Sequence, residues 1–492
     1  MVDVFTLDNV EPLVNHSMPF PEAKPYEQLA HLRHLEGMVN LDKVVVVTGY
    51  GEVNPFGNAE TRWQMEAYGE FSLEGCAELA WIMGLIKHHS GPLASTGDVY
   101  IGWVDSESNE PVKDRDIKAR YESRIVASTG IRVLDPSATK GYDPNNIVMM
   151  REIQIDHDLE PFEATADEAG HFKRGNGDRV DVWENPDGTW SVRFLKGAVI
   201  SVPKALQFDR LVTAQLPTGW SAERYGIPKD IIDVVDPVVL YGLVATVEAL
   251  LRSGITDPYE LYKYFHVSEV GNSTGACFGG ADAMKDIFGN GALDKDVKTD
   301  VVQEMFINTV AAWTNMLLLS SSGPIKATVG ACGTTAMSLD VAVETIQSGK
   351  ARMMVAGAFD SYSGDAAYAL GRVNATASSI DEVKRGRTPA EMSRPCTSSR
   401  NGFVESLGAG ILTLMSASAA IEFGAPIYGV LAMTATSTDK EGRSVPAPGQ
   451  GILTTARETT TAAPSPLLDF EYRREELAER IQEIDQWVDR QH

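Results

Sequence analysis

Apolar residues along the chain follow two rhythms. Short continuous runs, rich in β-branched residues and bounded by glycine or polar turns, predict buried strands over residues 44–48, 325–329, 351–356, 411–414 and 427–432. A further strand is predicted over 262–270, feeding the turn Gly271-Asn272-Ser273-Thr274-Gly275 and carrying His266 as a structural residue. Helical spacing follows Asp236-Pro237, a cap and first-turn proline: Leu240, Leu243, Val244, Val247 and Leu251 form one stripe that Gly254 ends. Met337, Val341 and Thr345 predict a helix over 334–348, with Gly349 to stop it. Helices are also expected over 301–318 and 417–423. Strands and helices alternate, so the fold class is α/β.

Other stretches break this alternation. Residues 1–38 are punctuated by proline and weakly patterned, as expected of a connector from an upstream domain. After the first strand, residues 60–225 read as a large insertion. Its first part, 69–88, is apolar and helical. Its later part is β-rich, with Asn185-Pro186-Asp187-Gly188 marking a hairpin between VDVWE and WSVRFLKG. Residues 436–492 read as a linker and a charged amphipathic helix, with Leu477, Ile481, Ile484 and Val488 at 4-3-4 spacing. That narrow stripe suits packing against another subunit, or equally against its own domain.

Composition narrows the classes. The 492 residues leave room for two or three domains or one large elaborated one, and 43% hydrophobic with 23% charged residues is ordinary for a globular chain. A net charge of −25 argues against nucleic acid and reads as a solvated acidic surface. Cys76, Cys277, Cys332 and Cys396 are widely spaced, which fits a reducing compartment. No metal-ligand spacing appears, and His88, His89, His157 and His171 read as solvated or capping residues. With no signal-like core and no run of membrane-spanning length, a cytoplasmic location without a membrane partner is expected. Gly49, Gly51 and Gly57 do not make G-x-G-x-x-G, and Pro55 interrupts the turn, which argues against a dinucleotide site.

Candidate chemistry concentrates at Cys332. Gly330, Ala331 and Gly333 surround it, between a predicted strand and a predicted helix. The positive end of a helix favours thiolate, and small neighbours admit a bulky acyl substrate. An inert buried cysteine is the commonest alternative. The strand, turn and helix context argues against it.

These residues also carry a resemblance. Gly330-Ala331-Cys332, the small-residue helix after it and the strand VAG resemble the nucleophile elbow of β-ketoacyl synthases. Ser393-Arg394-Pro395, Arg400-Asn401-Gly402-Phe403 and Gly408-Ala409-Gly410 resemble that family's next block, and VVVVTGYGEVNPFGN its opening. Phrases such as WQMEAYGEFSLEGC, FDRLVTAQLPTGW and RSVPAPGQGILTTARE are similar to the α subunit of fungal type I fatty acid synthase. The resemblance implies a thiolase-like, layered αβαβα fold, present as its N-terminal half over residues 39–435. It implies Cys332 as nucleophile, with its own backbone N–H as one oxyanion donor, and decarboxylative condensation of acyl and malonyl thioesters. Substrates would arrive on the phosphopantetheine of an acyl carrier domain, with no cofactor in this chain. The implied partners are that carrier, the synthase β subunit and a second α subunit, pairing along the strand before Cys332.

Cys277, Phe278 and Phe403 are expected along the acyl channel. Where the resembling synthases are expected to carry Gly and a flexible Met, this chain has Cys277 and rigid Phe278. That implies a short product near hexanoyl, of the kind used in secondary metabolism. The family's two imidazoles follow its cysteine, as does a Gly-Phe-Gly oxyanion segment. Of the nine histidines here only His492 follows Cys332, and Gly-Phe-Gly does not occur. Two readings therefore stand: part of a condensing enzyme whose second half is supplied elsewhere, or a silent synthase used for assembly.

Overall fold

The computed structural model describes residues 40–93, 95–136, 148–205, 208–290, 301–320, 322–436 and 470–491. The connector expected over 1–38 and most of the linker after 436 lie outside them. A five-stranded mixed sheet organises the rest. Its strands are β1 (Val45–Val53), β2 (Val270–Asn272), β3 (Met353–Asp360), β4 (Gly408–Ser416) and β5 (Gly429–Val430), in the order β2-β3-β4-β1-β5. β2 and β3 run parallel, and the other neighbours are antiparallel. The helices used below are α1 (Ala59–Tyr68), α2 (Leu73–Ile82), α3 (Pro237–Arg252), α4 (Thr309–Leu317), α5 (Thr334–Gln347) and α6 (Phe470–Gln491).

Both faces of the sheet are covered. Val46, Val355, Phe359, Ile411 and Met415 pack with Val238, Leu243, Ala245 and Ala249 of α3. Val45, Met354, Ala356 and Leu414 pack with Ala342, Val343 and Ile346 of α5 on the other side. Successive residues thus enter opposite cores, as a period of two requires, and each fully buried aliphatic side chain contributes about 1.5–3 kcal/mol. β1 changes parity on the way. Val46 and Val53 share the α3 core although their positions differ by an odd number, because the β1–β4 register shifts between Val47 and Gly49.

The long segment between β1 and α3 builds cores of its own. Phe71, Leu79, Ile82, Ile117 and Ile125 close one around α2. In the other, the helix Ala166–Asn176 packs on a sheet ordered Phe162–Ala164, Trp190–Phe194, Val180–Glu184. The expected hairpin is present, closed by Asn185 N–H on Thr189 C=O at 2.8 Å and Gly188 N–H on Asn185 C=O at 3.0 Å. A buried charged joint ties this segment to the main core. Arg252 of α3 pairs with Glu60 of α1 and, at 2.8 Å, with Glu248, while its guanidinium lies 4.6 Å from the Tyr50 ring centre. Glu248 also accepts the Glu52 N–H at 2.8 Å, and Arg62 grips Glu52 through two bonds of 2.6 Å.

Several sequence expectations are corrected. Residues 325–329 are not a buried strand: they make single bridges, Ile325 to Asn272 and Thr328 to Gly275, and Ile325 and Val329 are 49% and 47% exposed. A β-branched run fits a sheet edge covered on one side as well as an interior strand. Nor is 262–270 a strand. Tyr262 ends the turn Pro258–Leu261, and His266 is an exposed cap of the 3₁₀ turn Val267–Glu269, its N–H bonded to the Glu269 carboxylate at 2.9 Å. Histidine is a rare cap, so the aromatic and β-branched composition imitated a strand. The helix expected over 69–88 ends at Ile82, and His88 and His89 lie on a strand, Ile86–Pro92, paired with Val99–Asp105. The apolar run continues across that switch, so periodicity does not mark it. The helix expected over 301–318 is two, Val301–Glu304 and α4, and the strand expected over 427–432 shrinks to β5.

Candidate active site

The turn into α5 is built for an exposed thiol. Ala331–Gly333 form a 3₁₀ turn running directly into the helix, and Cys332 is exposed upon it. Ala331 has φ of 49°, the left-handed region that a residue with a Cβ avoids, so the turn is strained. Thr334 braces it: its hydroxyl donates to Ala331 C=O at 2.7 Å and accepts the Gly330 N–H at 3.1 Å. A Cβ at position 330 would lie 2.1 Å from Met337 Sδ, so a larger residue there requires the Met337 side chain to move aside. One turn on, Ser338 ties α5 to the sheet. Its hydroxyl accepts the Gly357 N–H of β3 at 2.8 Å, and its carbonyl accepts the Ser273 hydroxyl at 2.9 Å.

A second segment, from β2 to Phe278, lies alongside. Gly275 is wedged into the sheet: it donates to Gly357 C=O at 3.2 Å, accepts from Phe359 N–H at 3.1 Å and bridges to Thr328. A Cβ on Gly275 would sit 1.9 Å from Thr328 O, so only glycine permits this approach. Two residues later Cys277 and Phe278 donate their N–H groups to the Asp360 carboxylate, at 3.1 and 3.2 Å. Burial pushes the Cys277 thiol up, and Asp360 and then Cys332 add to the rise. Burial also raises Asp360, against the pull of the two N–H donors. Phe278 is 45% exposed and forms, with Ala281, Met284, Phe288 and Ala366, the apolar wall of a recess of about 350 Å³. Lys285, Ser363 and Asp365 stand on the same recess.

The third segment carries Phe403. Beneath it lies Glu382, fully buried, whose carboxylate takes Arg394 at 2.7 Å, Arg387 at 2.9 Å, Arg385 at 3.0 Å and Asn401 Nδ2 at 3.0 Å. Burial alone would raise it; Arg394 and Asn401 outweigh that and hold it at about 2. Arg394 also grips Ser399 through Oγ at 3.1 Å and C=O at 2.5 Å. Phe403 is fixed by its N–H on Ala375 C=O at 3.1 Å and by Ala377 N–H on its own C=O at 3.0 Å.

Cys332, Cys277 and Phe278 thus belong to neighbouring segments, while Phe403 sits on a separate loop tied to residues 375–377. Cys76 is buried, its thiol raised to about 11 chiefly by burial. Sequence reading passed over Asp360 and Glu382. Asp360 had one available signal, as the acid that ends the VAG strand. Glu382 had only Arg385 and Arg387 near it in the sequence, while Arg394 and Asn401 lie farther along the chain. Among the described residues no group of histidine, cysteine and carboxylate side chains could hold a metal, and no helix is long and apolar enough to cross a membrane.

Residues 189–420 match the family model "Beta-ketoacyl synthase, N-terminal domain". The chain is 54% identical over 490 residues to the fatty acid synthase subunit alpha of Lachancea kluyveri and 53% identical to that of Schizosaccharomyces pombe, in each case over 99% of the chain and 26% of the relative. The same subunit of Saccharomyces cerevisiae is 52% identical over 98% of the chain. The chain spans about a quarter of the length of these relatives. Among solved structures, the noncanonical ketosynthase FabY from P. aeruginosa superposes with a TM-score of 0.70 at 21% identity, over 84% of this chain and 64% of that one, which shows the shared ketosynthase fold. One sheet with α3 on one face and α5 on the other carries that shared fold in this chain. The chain is thus similar, over residues 189–420, to the N-terminal domain of β-ketoacyl synthases and, along nearly its whole length, to about a quarter of the fungal fatty acid synthase subunit alpha.

Proposed function

We propose that this chain is the nucleophile-bearing part of a β-ketoacyl-[acyl-carrier-protein] synthase within a fatty acid synthase α subunit. The observation that carries it is Cys332: an exposed thiol on a braced, strained turn at the start of a fourteen-residue helix. Its sulfur attacks an acyl thioester brought on the phosphopantetheine of a carrier domain, and the Cys332 N–H receives the oxyanion. The carrier thiolate leaves, and the acyl group stays on the sulfur. Condensation then needs imidazoles to stabilise the enolate left when malonyl thioester loses CO₂. No histidine but His492 follows Cys332, so another segment supplies them, and this chain alone acylates without condensing.

The partners follow from the same reading: an acyl carrier domain, the synthase β subunit and a second α subunit along the edge that exposes Ile325 and Val329. A purely assembling role is the alternative, and the test separates the two. In peptide-mapped labelling with a limiting electrophile, Cys332 should react first among the four cysteines and should take acyl groups from acyl-pantetheine. Even labelling of all four would favour assembly. A condensation product from malonyl-carrier with this chain alone would sink the account of the missing imidazoles.

The recess beside Phe278 bears on product length. A rigid ring in an apolar wall yields less easily than a thioether, and displacing packed neighbours costs about 1–3 kcal/mol, tenfold to hundredfold discrimination against long chains. The parent synthase is therefore read as releasing products near hexanoyl, suited to secondary metabolism. Phe278→Met with Cys277→Gly in the complete synthase should lengthen them. A wild type that already makes palmitoyl-length product ends this reading.

A further inference from the structure

Asp360 closes β3, opposite Gly408 across the sheet. Its carboxylate takes the Phe278 N–H through Oδ1 at 3.2 Å and the Cys277 N–H through both oxygens, at 3.1 and 3.2 Å. A carboxylate that accepts successive backbone N–H groups fixes both the place and the direction of a segment, and such charge-assisted bonds are about twice as strong as neutral ones. The segment so held brings Phe278 to the recess and Cys277 into the electrostatic neighbourhood of Cys332. Gly275, locked between Gly357 and Thr328, fixes the approach to this corner, and Asp360 fixes the way out of it.

We propose that Asp360 is a positioning residue of the synthase: its carboxylate clamps the Cys277–Phe278 corner, holding Phe278 in the wall of the recess and Cys277 in place beside the nucleophile. The part about the acyl chain rests on the reading above; the part about the two thiols does not. Asp360 also acts through its charge. Cys277 is faced by two groups that can carry negative charge, Asp360 and Cys332, and is half-buried besides. All three disfavour a thiolate at Cys277. Two thiols share the site, and Asp360 keeps the second from competing with Cys332 for the substrate.

The test is alkylation by limiting iodoacetamide across pH, mapped by peptide, on the wild-type chain and on Asp360→Asn and Asp360→Ala, with thermal melts to confirm folding. Asp360→Asn keeps an acceptor oxygen and removes the charge, so Cys277 should be alkylated at lower pH than in the wild type. Asp360→Ala also frees the corner. The wild-type preference of Cys332 for hexanoyl-pantetheine over palmitoyl-pantetheine should then fall by about fivefold or more. Hydrogen exchange of the wild-type Cys277 and Phe278 amides reads the clamp without any substitution, and both should be protected. A folded Asn variant with an unmoved Cys277 profile, or unprotected amides in the wild type, overturns the proposal. If Cys332 takes neither thioester, the acyl-transfer reading fails while the Cys277 profile still decides the role of Asp360.

Discussion

Glu382, beneath the loop that carries Phe403, and Glu248, at the joint between the insertion and the main core, are both sequestered carboxylates beside arginine. They end in opposite states. Around Glu382 three guanidiniums and an asparagine amide supply more donors than one carboxylate needs, and the acid is held at about 2. At the joint the ratio is reversed. Arg252 serves both Glu248 and Glu60, and Glu60 Oε2 has no hydrogen-bond partner among the described residues. Burial pushes Glu248 up to about 8; Arg252 pulls against it, and Glu60 adds to the rise. Proximity to arginine does not decide the charge of a buried acid. At Glu248 burial outweighs the pull of Arg252, and at Glu382 Arg394 and Asn401 outweigh burial.

The largest expected effect comes from Glu382→Leu. It leaves Arg387 and Arg394 sequestered without a counter-charge, and breaking a buried pair from one side costs about 3–5 kcal/mol. Chemical denaturation should show this loss, and a cost below 1 kcal/mol would mean the arginines find water when the acid is removed. Next comes Arg252→Met, which strands two carboxylates; a loss of about 3 kcal/mol is expected from the same cause. Burial already favours the neutral form of Glu248, which can take up a proton when Arg252 is removed, and this softens the loss relative to Glu382→Leu. Glu248→Gln mimics the form already favoured below about pH 8 and should stay within about 1 kcal/mol of wild type. If Glu248→Gln proves costlier than Arg252→Met, the contrast between the two regions is inverted.

Stability against pH sharpens the same comparison, with the smallest signal. Glu382 is depressed from an ordinary 4.5 to about 2, so its contribution is whole above about pH 4.5 and is lost as pH falls toward 2. Glu248 is raised from 4.5 to about 8, so its contribution is whole below about pH 4.5 and is lost as pH rises through 8. Glu382→Gln should therefore flatten the acid limb of the melting profile, and Glu248→Gln the alkaline limb. An alkaline limb left unchanged by Glu248→Gln would place that carboxylate in contact with water.

The elements legible in the sequence are those whose signal is local and redundant. α3 announced itself through Asp236, Pro237 and a five-residue stripe, and α5 through its own stripe and Gly349. The turn at Cys332 was legible because Gly330 and Gly333 flank it at a predicted helix start, although the strand expected before it is a bridged edge segment. What escaped was set by tertiary context. Residues 325–329 carry the composition of an interior strand, yet their placement at an edge depends on Asn272 and Gly275, about fifty residues earlier. His266 caps a turn through a bond no pattern encodes. The Glu382 cluster joins residues up to Asn401, and the Asp360 clamp reaches back to Cys277. Such contacts exist only once the sheet has formed.

The pairing of β1 with β4 sets a timetable for the ribosome. Thr48 at the bulge of β1 donates to Thr413 C=O of β4 at 3.2 Å, a contact spanning 365 residues. At about 5–20 residues per second, roughly 20–70 s pass between the emergence of one strand and that of the other. Throughout that interval β1 presents Val45, Val46 and Val53 with no hydrogen-bonded neighbour from its own sheet. The insertion that follows it, with cores closed by nearby residues, can complete itself meanwhile. The insertion can therefore fold while β1 still waits, and the interval is one in which a chaperone has an apolar edge to hold.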